Sequence, residues 1–187
     1  MKTRRSRARG SMMLELVIAS GLSVIVIGLL VATELGALRE YQRALARNAA
    51  SRGAYNALRE IRNAAQQAVQ ASVNGSGTQV SLLPPLRDAN GAIRLPVQPD
   101  AVNPITLTVD FGAGTLVLTA GGTSRVILTG VSSRTPQGAP YNPFTLTQYA
   151  PGVQALHVRL SVRRGSGNTA STAWFEETIL LRNASSQ

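Results

Sequence analysis

The chain of 187 residues contains no cysteine. In a protein outside the cytoplasm this absence excludes disulfide bonds, so the fold must rest on packing and hydrogen bonds. It also excludes thiol chemistry and cysteine-ligated metal sites. The length suits one compact domain with an anchoring segment, and a hydrophobic content of 44% is enough to form a core.

Histidine is nearly absent too, since His157 is the only one. It falls on the polar side of a predicted strand, where a surface role is expected rather than that of a catalytic base. The stretch GSGNTAST, residues 165–172, lacks the lysine of a phosphate-binding loop and predicts a hairpin loop. We therefore expect no enzyme activity and no cofactor.

No metal site is predicted, because a lone histidine without cysteine does not make a transition-metal site. Side-chain oxygens of the type that binds calcium stand in a proline-rich stretch, at Asp88, Asn90, Asp100 and Asn103. Their spacing differs from that of an EF-hand loop. The sequence leaves calcium binding open.

The net charge of +10 is concentrated at the start of the chain. Five of the 19 basic residues precede residue 10: Lys2, Arg4, Arg5, Arg7 and Arg9. The rest of the chain holds 14 basic and 9 acidic residues. Basic residues next to an apolar segment are typical of its cytoplasmic side. The charge thus predicts a membrane orientation rather than nucleic-acid binding.

An apolar run follows the basic leader. Leu16–Thr33 carries no charge over 18 residues, and Met12–Leu14 extends the run on the other side of Glu15. About 20 apolar residues in a helix cross the hydrocarbon core of a bilayer. Small residues that allow close approach of another helix lie within it: Ala19, Ser20, Gly21, Ser23 and Gly28.

Three interpretations of this segment compete. A secretory signal peptide would be cleaved among small residues near Ala32. Glu15 disfavours this, because a carboxylate in an apolar helix costs about 2.5 to 3.5 kcal/mol at the membrane centre. A plain signal anchor tolerates one polar residue near its end. The third interpretation places a cleavage site between Gly10 and Ser11.

Residues 7–20, RARG followed by SMMLELVIAS, resemble the type IV prepilin family, which includes the pseudopilins of type II secretion. Its members have a short basic leader ending in glycine, then an apolar helix with glutamate at the fifth mature position. With Ser11 as the first mature residue, Glu15 is the fifth. The combination of leader, glycine, glutamate spacing and apolar run is specific.

This resemblance implies that a prepilin peptidase cleaves after Gly10 and methylates the new amino group of Ser11. It also implies assembly through the N-terminal helix. The ammonium group of one subunit would pair with Glu15 of its neighbour inside the apolar helix bundle and so fix the axial register. Removing one partner would leave a buried charge without compensation, at a cost of about 3 to 5 kcal/mol.

The resemblance further implies a structural, non-enzymatic subunit of a type IV pilus or a type II secretion pseudopilus. Its partners would be other pilins or pseudopilins, the prepilin peptidase, an inner-membrane assembly platform and, before assembly, the lipid bilayer. The chain would cross the inner membrane once, with a cytoplasmic leader and an extracytoplasmic C-terminal domain. In a pilus, a few copies would prime assembly or occupy the tip, for adhesion, motility or DNA uptake in competence.

Some features depart from the major pilins. The first mature residue is Ser11 where the family usually has phenylalanine, and the apolar helix contains no proline. A C-terminal cysteine pair is missing, which favours a minor subunit. The terminal strands VQALHVRLSVRR and AWFEETILLRN resemble the minor pilins of the W type and, in layout, the J-type minor pseudopilins.

The predicted fold is α+β, with a long N-terminal helix packed on a small antiparallel sheet, as in pilins. Its segments are a leader at 1–10, a transmembrane helix at 11–34, an amphipathic continuation at 35–73, and a loop with a C-terminal sheet at 74–187. One apolar stripe is predicted along the continuation, in two runs with spacings of three and four: Leu35, Leu38, Tyr41, Leu45 and Ala49, then Tyr55, Leu58, Ile61, Ala65 and Val69. We expect this stripe to pack on the sheet, and secondarily on a partner helix.

A surface loop is predicted for residues 84–104, which hold five prolines and an Asn-Gly turn signal. Strand patterns follow in ITLTVDF, TLVLTA and RVILTGV, which predict an antiparallel meander. Two more strands are predicted near the end. Their apolar faces hold Leu156, Val158, Leu160 and Val162 in the first, and Phe175, Ile179 and Leu181, interrupted by Glu177, in the second.

Two further interpretations remain. A basic patch for phosphate contacts would use Arg125, Arg159, Arg163 and Arg164, with Arg134 and Arg182, although a solvated sheet face is the simpler explanation. We therefore do not expect direct DNA binding.

The alternative to a filament subunit is a protein of another functional class, a membrane-anchored extracytoplasmic binding module that never polymerises.

Overall fold

The computed structural model describes the backbone of residues 4–150 and 153–181, and their side chains apart from those of 4–11, 149, 150 and 168. The chain divides into two compact units, Met1–Ala44 and Leu45–Gln187. One helix, α1 (Arg4–Gln67), accounts for 64 residues. The first proline of the chain is Pro84, so nothing before it interrupts the helical hydrogen bonds.

Helix α1 ends at Gln67, six residues before the predicted boundary at 73. The following residues form β1 (Gln70–Val73), which pairs with β2 (Gln79–Leu83) in a hairpin. The stretch that looked like a helix stop is the hairpin turn. There the Asn74 side chain accepts a hydrogen bond from the backbone of Gln79 at 3.0 Å.

The meander is confirmed and is larger than predicted. Strands β3 (Ile105–Asp110), β4 (Thr115–Ala120) and β5 (Thr123–Thr129) follow one another in antiparallel pairs. With β1 and β2 they make a five-stranded sheet in the order β1-β2-β3-β4-β5. Between β2 and β3, residues 87–99 are exposed and hold only isolated bridges, so the predicted surface loop is confirmed.

The described part of the chain contains two sheets, whereas a single sheet was predicted. The second sheet contains β6 (Phe144–Ala150), β7 (Val153–Arg164) and β8 (Ser171–Leu181) in the order β6-β7-β8. The proline-containing segment after Gly130 interrupts the meander, and within it Val131 forms only an isolated bridge with Val162 of β7. A 3-10 turn at Gly167–Thr169 joins β7 to β8, where the hairpin loop was predicted.

The core of the Leu45–Gln187 unit lies between the end of α1 and both sheets. Small side chains dominate the buried helix face, which consists of Ala50, Ala54, Ala57, Leu58, Ile61, Ala64 and Ala65. At Gly53 a β-carbon would lie 3.2 Å from Leu128 of β5, which shows how closely the helix approaches that strand. The sheets contribute Val80, Leu82, Leu107, Val109, Leu116, Leu118, Leu128, Phe144, Leu156, Val158, Leu160, Val162, Ile179 and Leu181.

The predicted apolar stripe is correct in its second part and wrong in its first. Leu58, Ile61, Ala65 and Val69 are buried, together with the alanines above. In contrast, Leu35, Leu38, Tyr41, Leu45, Ala49 and Tyr55 are exposed. The nine-residue step from Ala49 to Leu58 turns a helix by roughly 180° beyond whole turns. The two parts of the stripe therefore never shared one face.

Candidate functional site

The apolar segment of α1 in the Met1–Ala44 unit is exposed. From Met12 to Val31 its large apolar side chains are 49 to 74% accessible. Among the described residues, this is the one helix long and apolar enough to cross a membrane, with a mean hydropathy of 2.6 over 18 residues. It accordingly fits a single-pass membrane protein.

Polar side chains within the segment bond to the helix's own carbonyls. Ser20 donates to the carbonyl oxygen of Val17 at 2.9 Å, Ser23 to that of Ala19 at 2.8 Å, and Thr33 to that of Leu29 at 2.7 Å. Such bonds reduce the cost of placing hydroxyl groups in lipid, because the donors are already satisfied. Glu15 remains the one charged residue between Met12 and Thr33.

The predicted processing residues lie on the same helix. Gly10 and Ser11 fall within α1, although the side chain of Ser11 lies outside the described part of the structure. The side chain of Glu15 is exposed, one helical turn after Ser11. Cleavage at Gly10, methylation at Ser11 and the pairing role of Glu15 stay predictions.

The arginines of the predicted basic patch are distributed over different contacts. Arg125 on β5 pairs with Glu60 of α1 at 2.8 Å. On β7, Arg159 lies 3.4 Å from Glu176, and Arg164 donates to the Thr129 hydroxyl at 2.6 Å. Arg163 is exposed, and Arg182 lies outside the described residues. Three of the four main patch residues thus have a protein partner.

The side chains considered as calcium ligands form hydrogen bonds within local turns. Asp88 accepts hydrogen bonds from the backbones of Asn90 and Ala92, both at 2.9 Å. Asp100 accepts one from the Asn103 side chain at 3.0 Å, and this bond, with two backbone N–H groups, lowers the pKa of Asp100. No cluster of three or more histidine or acidic side chains suited to a metal occurs among the described residues.

His157 lies on the outer side of β7, as predicted. Its Nδ1 atom is 2.9 Å from the hydroxyl of Thr178 on β8, its neighbour across the strand pair. This contact is a cross-strand pair on a sheet surface.

Two ion pairs join α1 to the sheets, and the sequence did not reveal them. Arg62 pairs with Glu177 of β8 at 2.6 Å, and Glu60 pairs with Arg125 of β5. The Glu177 side chain is only 18% exposed, so it faces the helix among apolar residues. The glutamate that interrupts the apolar pattern of β8 was the available signal, and its partner is 115 residues away.

A second missed feature is the cluster around Tyr141. Its hydroxyl donates to the Ser132 carbonyl at 2.8 Å and accepts from the Ser161 backbone N–H at 3.0 Å. Its ring meets those of Phe111 and Trp174 edge-on, with centroids 5.9 and 5.0 Å away. The cluster holds the segment between the sheets against β7 and β8.

Burial raises the pKa of Tyr141 above its ordinary value, although the bond from Ser161 opposes this. A folded-state pKa above the unfolded value of about 10 means that the stabilisation is complete below pH 10 and is lost as the pH rises further. We expect Tyr141→Phe to cost about 1 to 3 kcal/mol at pH 8, because the Ser161 N–H loses its partner. Urea unfolding at pH 8 and pH 11 should show a smaller pH effect in the variant; an equal effect in both proteins would contradict the assignment.

Comparison of the chain with protein-family models, curated proteins and solved structures gives no match in any of the three.

Proposed function

We propose that this chain is a minor subunit of a type IV pilus or of a type II secretion pseudopilus, assembled through its N-terminal helix. The observation that carries the proposal is the position of Glu15. It is the fifth residue after Gly10, in an exposed apolar helix with no other charge between Met12 and Thr33. The basic leader before Gly10 completes the prepilin pattern.

The arrangement of α1 supports this proposal. Its first part has apolar side chains on all sides and no contacts that bury them, whereas its last part is buried against antiparallel sheets. An apolar helix of this kind requires either lipid or other helices around it. A filament subunit uses both environments in turn, first the membrane and then the helix bundle.

The carboxylate distinguishes such a subunit from a simple anchor. A membrane anchor gains nothing from Glu15, which makes insertion less favourable. In a helix bundle, a neighbouring N-terminal ammonium would compensate the charge, and only one axial offset would bring the two groups together. Glu15 would therefore act through the specificity of assembly rather than through affinity.

Processing is the first property to measure. Intact-mass and N-terminal analysis of the chain from membranes should show a mature protein that begins at methylated Ser11, and only in cells with a prepilin peptidase. A chain that begins near Thr33 would identify a secreted protein and reject the filament. A chain that retains Met1 in both strains would indicate the membrane-anchored binding module instead.

Assembly is tested by Glu15→Val. We expect the variant to insert into the membrane and to be processed at Gly10, yet to fall at least about tenfold in sheared filament fractions, since the neighbour's ammonium loses its partner. Glu34→Val is the matched control, because it removes a carboxylate at the end of the apolar run and should assemble normally. Normal incorporation of Glu15→Val would remove the role assigned to Glu15.

A further inference from the structure

Strand β8 is the open edge of the three-stranded sheet. It pairs with β7 over eleven consecutive residues, from Ser171 to Leu181. No other backbone pairing involves these residues within the described parts of the chain. The N–H and C=O groups that point away from β7 are therefore available to a further strand.

β8 has Glu176 and Glu177 as charged residues, but most other protections of an edge strand are missing. β8 contains no proline, lysine or glycine, and its register with β7 has no bulge. The opposite edge, β6, has a register shift between Gln148 and Ala150. β8 is also long for a strand, since about five to six residues are typical. Such an edge is a template for strand addition unless it has a designated partner.

A groove runs between the β8 edge and helix α1, with a volume of about 650 Å³. Its apolar part contains Tyr55 and Phe175, whose ring centroids are 5.6 Å apart at a steep angle. Tyr55 is 65% exposed although its ring already contacts Phe175. A strand added to β8 would cover this aromatic pair with every second side chain.

The charges of the groove specify what it accepts. Arg62 is paired with Glu177, and Glu176 has Arg159 beside it on β7. Arg59 lines the groove and is exposed, with no ion-pair partner among the described side chains. The groove therefore presents one positive charge without compensation, which favours an occupant with a carboxylate at that point.

We propose that β8 binds an extended peptide segment of another protein as an additional strand, with an acidic side chain against Arg59 and an apolar one on Tyr55 and Phe175. Main-chain hydrogen bonds to β8 would give affinity, and the two contacts would give specificity. A second copy of β8 is a poor occupant. Antiparallel pairing about the strand centre places Glu176 opposite itself, and like charges in that position are destabilising. The inference does not depend on the filament proposal.

Binding in the groove can be followed by intrinsic fluorescence, because Trp174 lines the groove and is the only tryptophan of the chain. The probe is an eight-residue peptide of alternating valine and threonine with one central glutamate, titrated into the full chain in detergent. We expect a saturable change in Trp174 fluorescence. A peptide with lysine in place of the glutamate should bind about tenfold more weakly.

Reversing the groove charge tests the contact directly. In Arg59→Glu the preference should switch to the lysine peptide, whereas Arg52→Glu, an exposed helix position outside the groove, should behave as the parent chain. Hydrogen exchange should show new protection of β8 amides when the peptide is bound. No saturable change, equal binding of both peptides, or protection outside β8 would overturn the proposal. Concentration-dependent fluorescence without peptide would do so as well, since a second copy would then occupy the edge.

Discussion

Replacing Gly130 by alanine is expected to lower the free energy of unfolding of the Leu45–Gln187 unit by about 2 to 4 kcal/mol. Gly130 has a φ of +76°, and a β-carbon built there would overlap the carbonyl oxygen of Arg163. The backbones are held together at this point, because the Arg163 N–H donates to the Gly130 carbonyl at 2.7 Å. The backbone strain and the steric overlap therefore add. The hydrogen bond holds the backbones of residues 130 and 163 together, so they cannot move apart to relieve the overlap.

Gly122 is a matched control for this prediction. Its φ of +78° is nearly the same, but nothing lies within 4 Å of the position of a β-carbon. Gly122→Ala should therefore show the conformational penalty alone, about 1 to 2 kcal/mol. Urea titration of the detergent-solubilised chain, followed by Trp174 fluorescence, measures both variants. Equal losses would mean that the contact with Arg163 contributes nothing.

Phe144→Ala is expected to cost about 3 to 5 kcal/mol, as is usual for a fully buried phenylalanine. Phe144 is completely inaccessible and begins β6, and its N–H donates to the Gly77 carbonyl at 2.9 Å. It therefore packs in the core at the point where the three-stranded sheet meets the β1-β2 hairpin. The truncation leaves a cavity that this rigid junction cannot close.

Phe175→Ala serves as the comparison, because the same side chain is removed from a partly exposed site next to Tyr55. Its loss should be less than half that of Phe144→Ala, since less apolar area returns to water. The same urea titration gives both values. If Phe175→Ala lowered the free energy of unfolding more than Phe144→Ala, the contact between α1 and β8 would contribute more to stability than the packing of β6.

Local patterns in the sequence predicted much of the fold. The alternation in Leu107 and Val109 of β3, and from Leu156 to Val162 of β7, identified strands whose inward faces are buried. β1, β2 and β6 escaped prediction: β1 and β2 are short, and all three stand beside glycine- or proline-rich turns. Their strand character depends on partners that are distant in the chain.

The sheet-facing side of α1 could not be chosen from hydrophobicity alone. Leu45 and Tyr55 are larger and carry more apolar surface than Ala50 and Ala54, yet the alanines are the buried residues. Where a helix lies close to a sheet, only small side chains fit between the two. The sequence does not give this helix-to-sheet distance. The prepilin pattern was readable because Gly10, Ser11 and Glu15 are neighbours in the chain. The Arg62–Glu177 pair and the β8 groove join residues more than a hundred positions apart.

The alanine-lined face of α1 also bears on how this protein can evolve. Where a helix rests on a sheet through Ala50, Ala54 and Ala57, any larger residue must lift the helix, so only glycine or serine fits without displacement. Lineages of this protein are then expected to vary more at exposed positions of this part of the helix, such as Leu45, Arg47 and Arg52, and to retain small residues on this face. Its least conspicuous residues would be the ones under the strongest purifying selection.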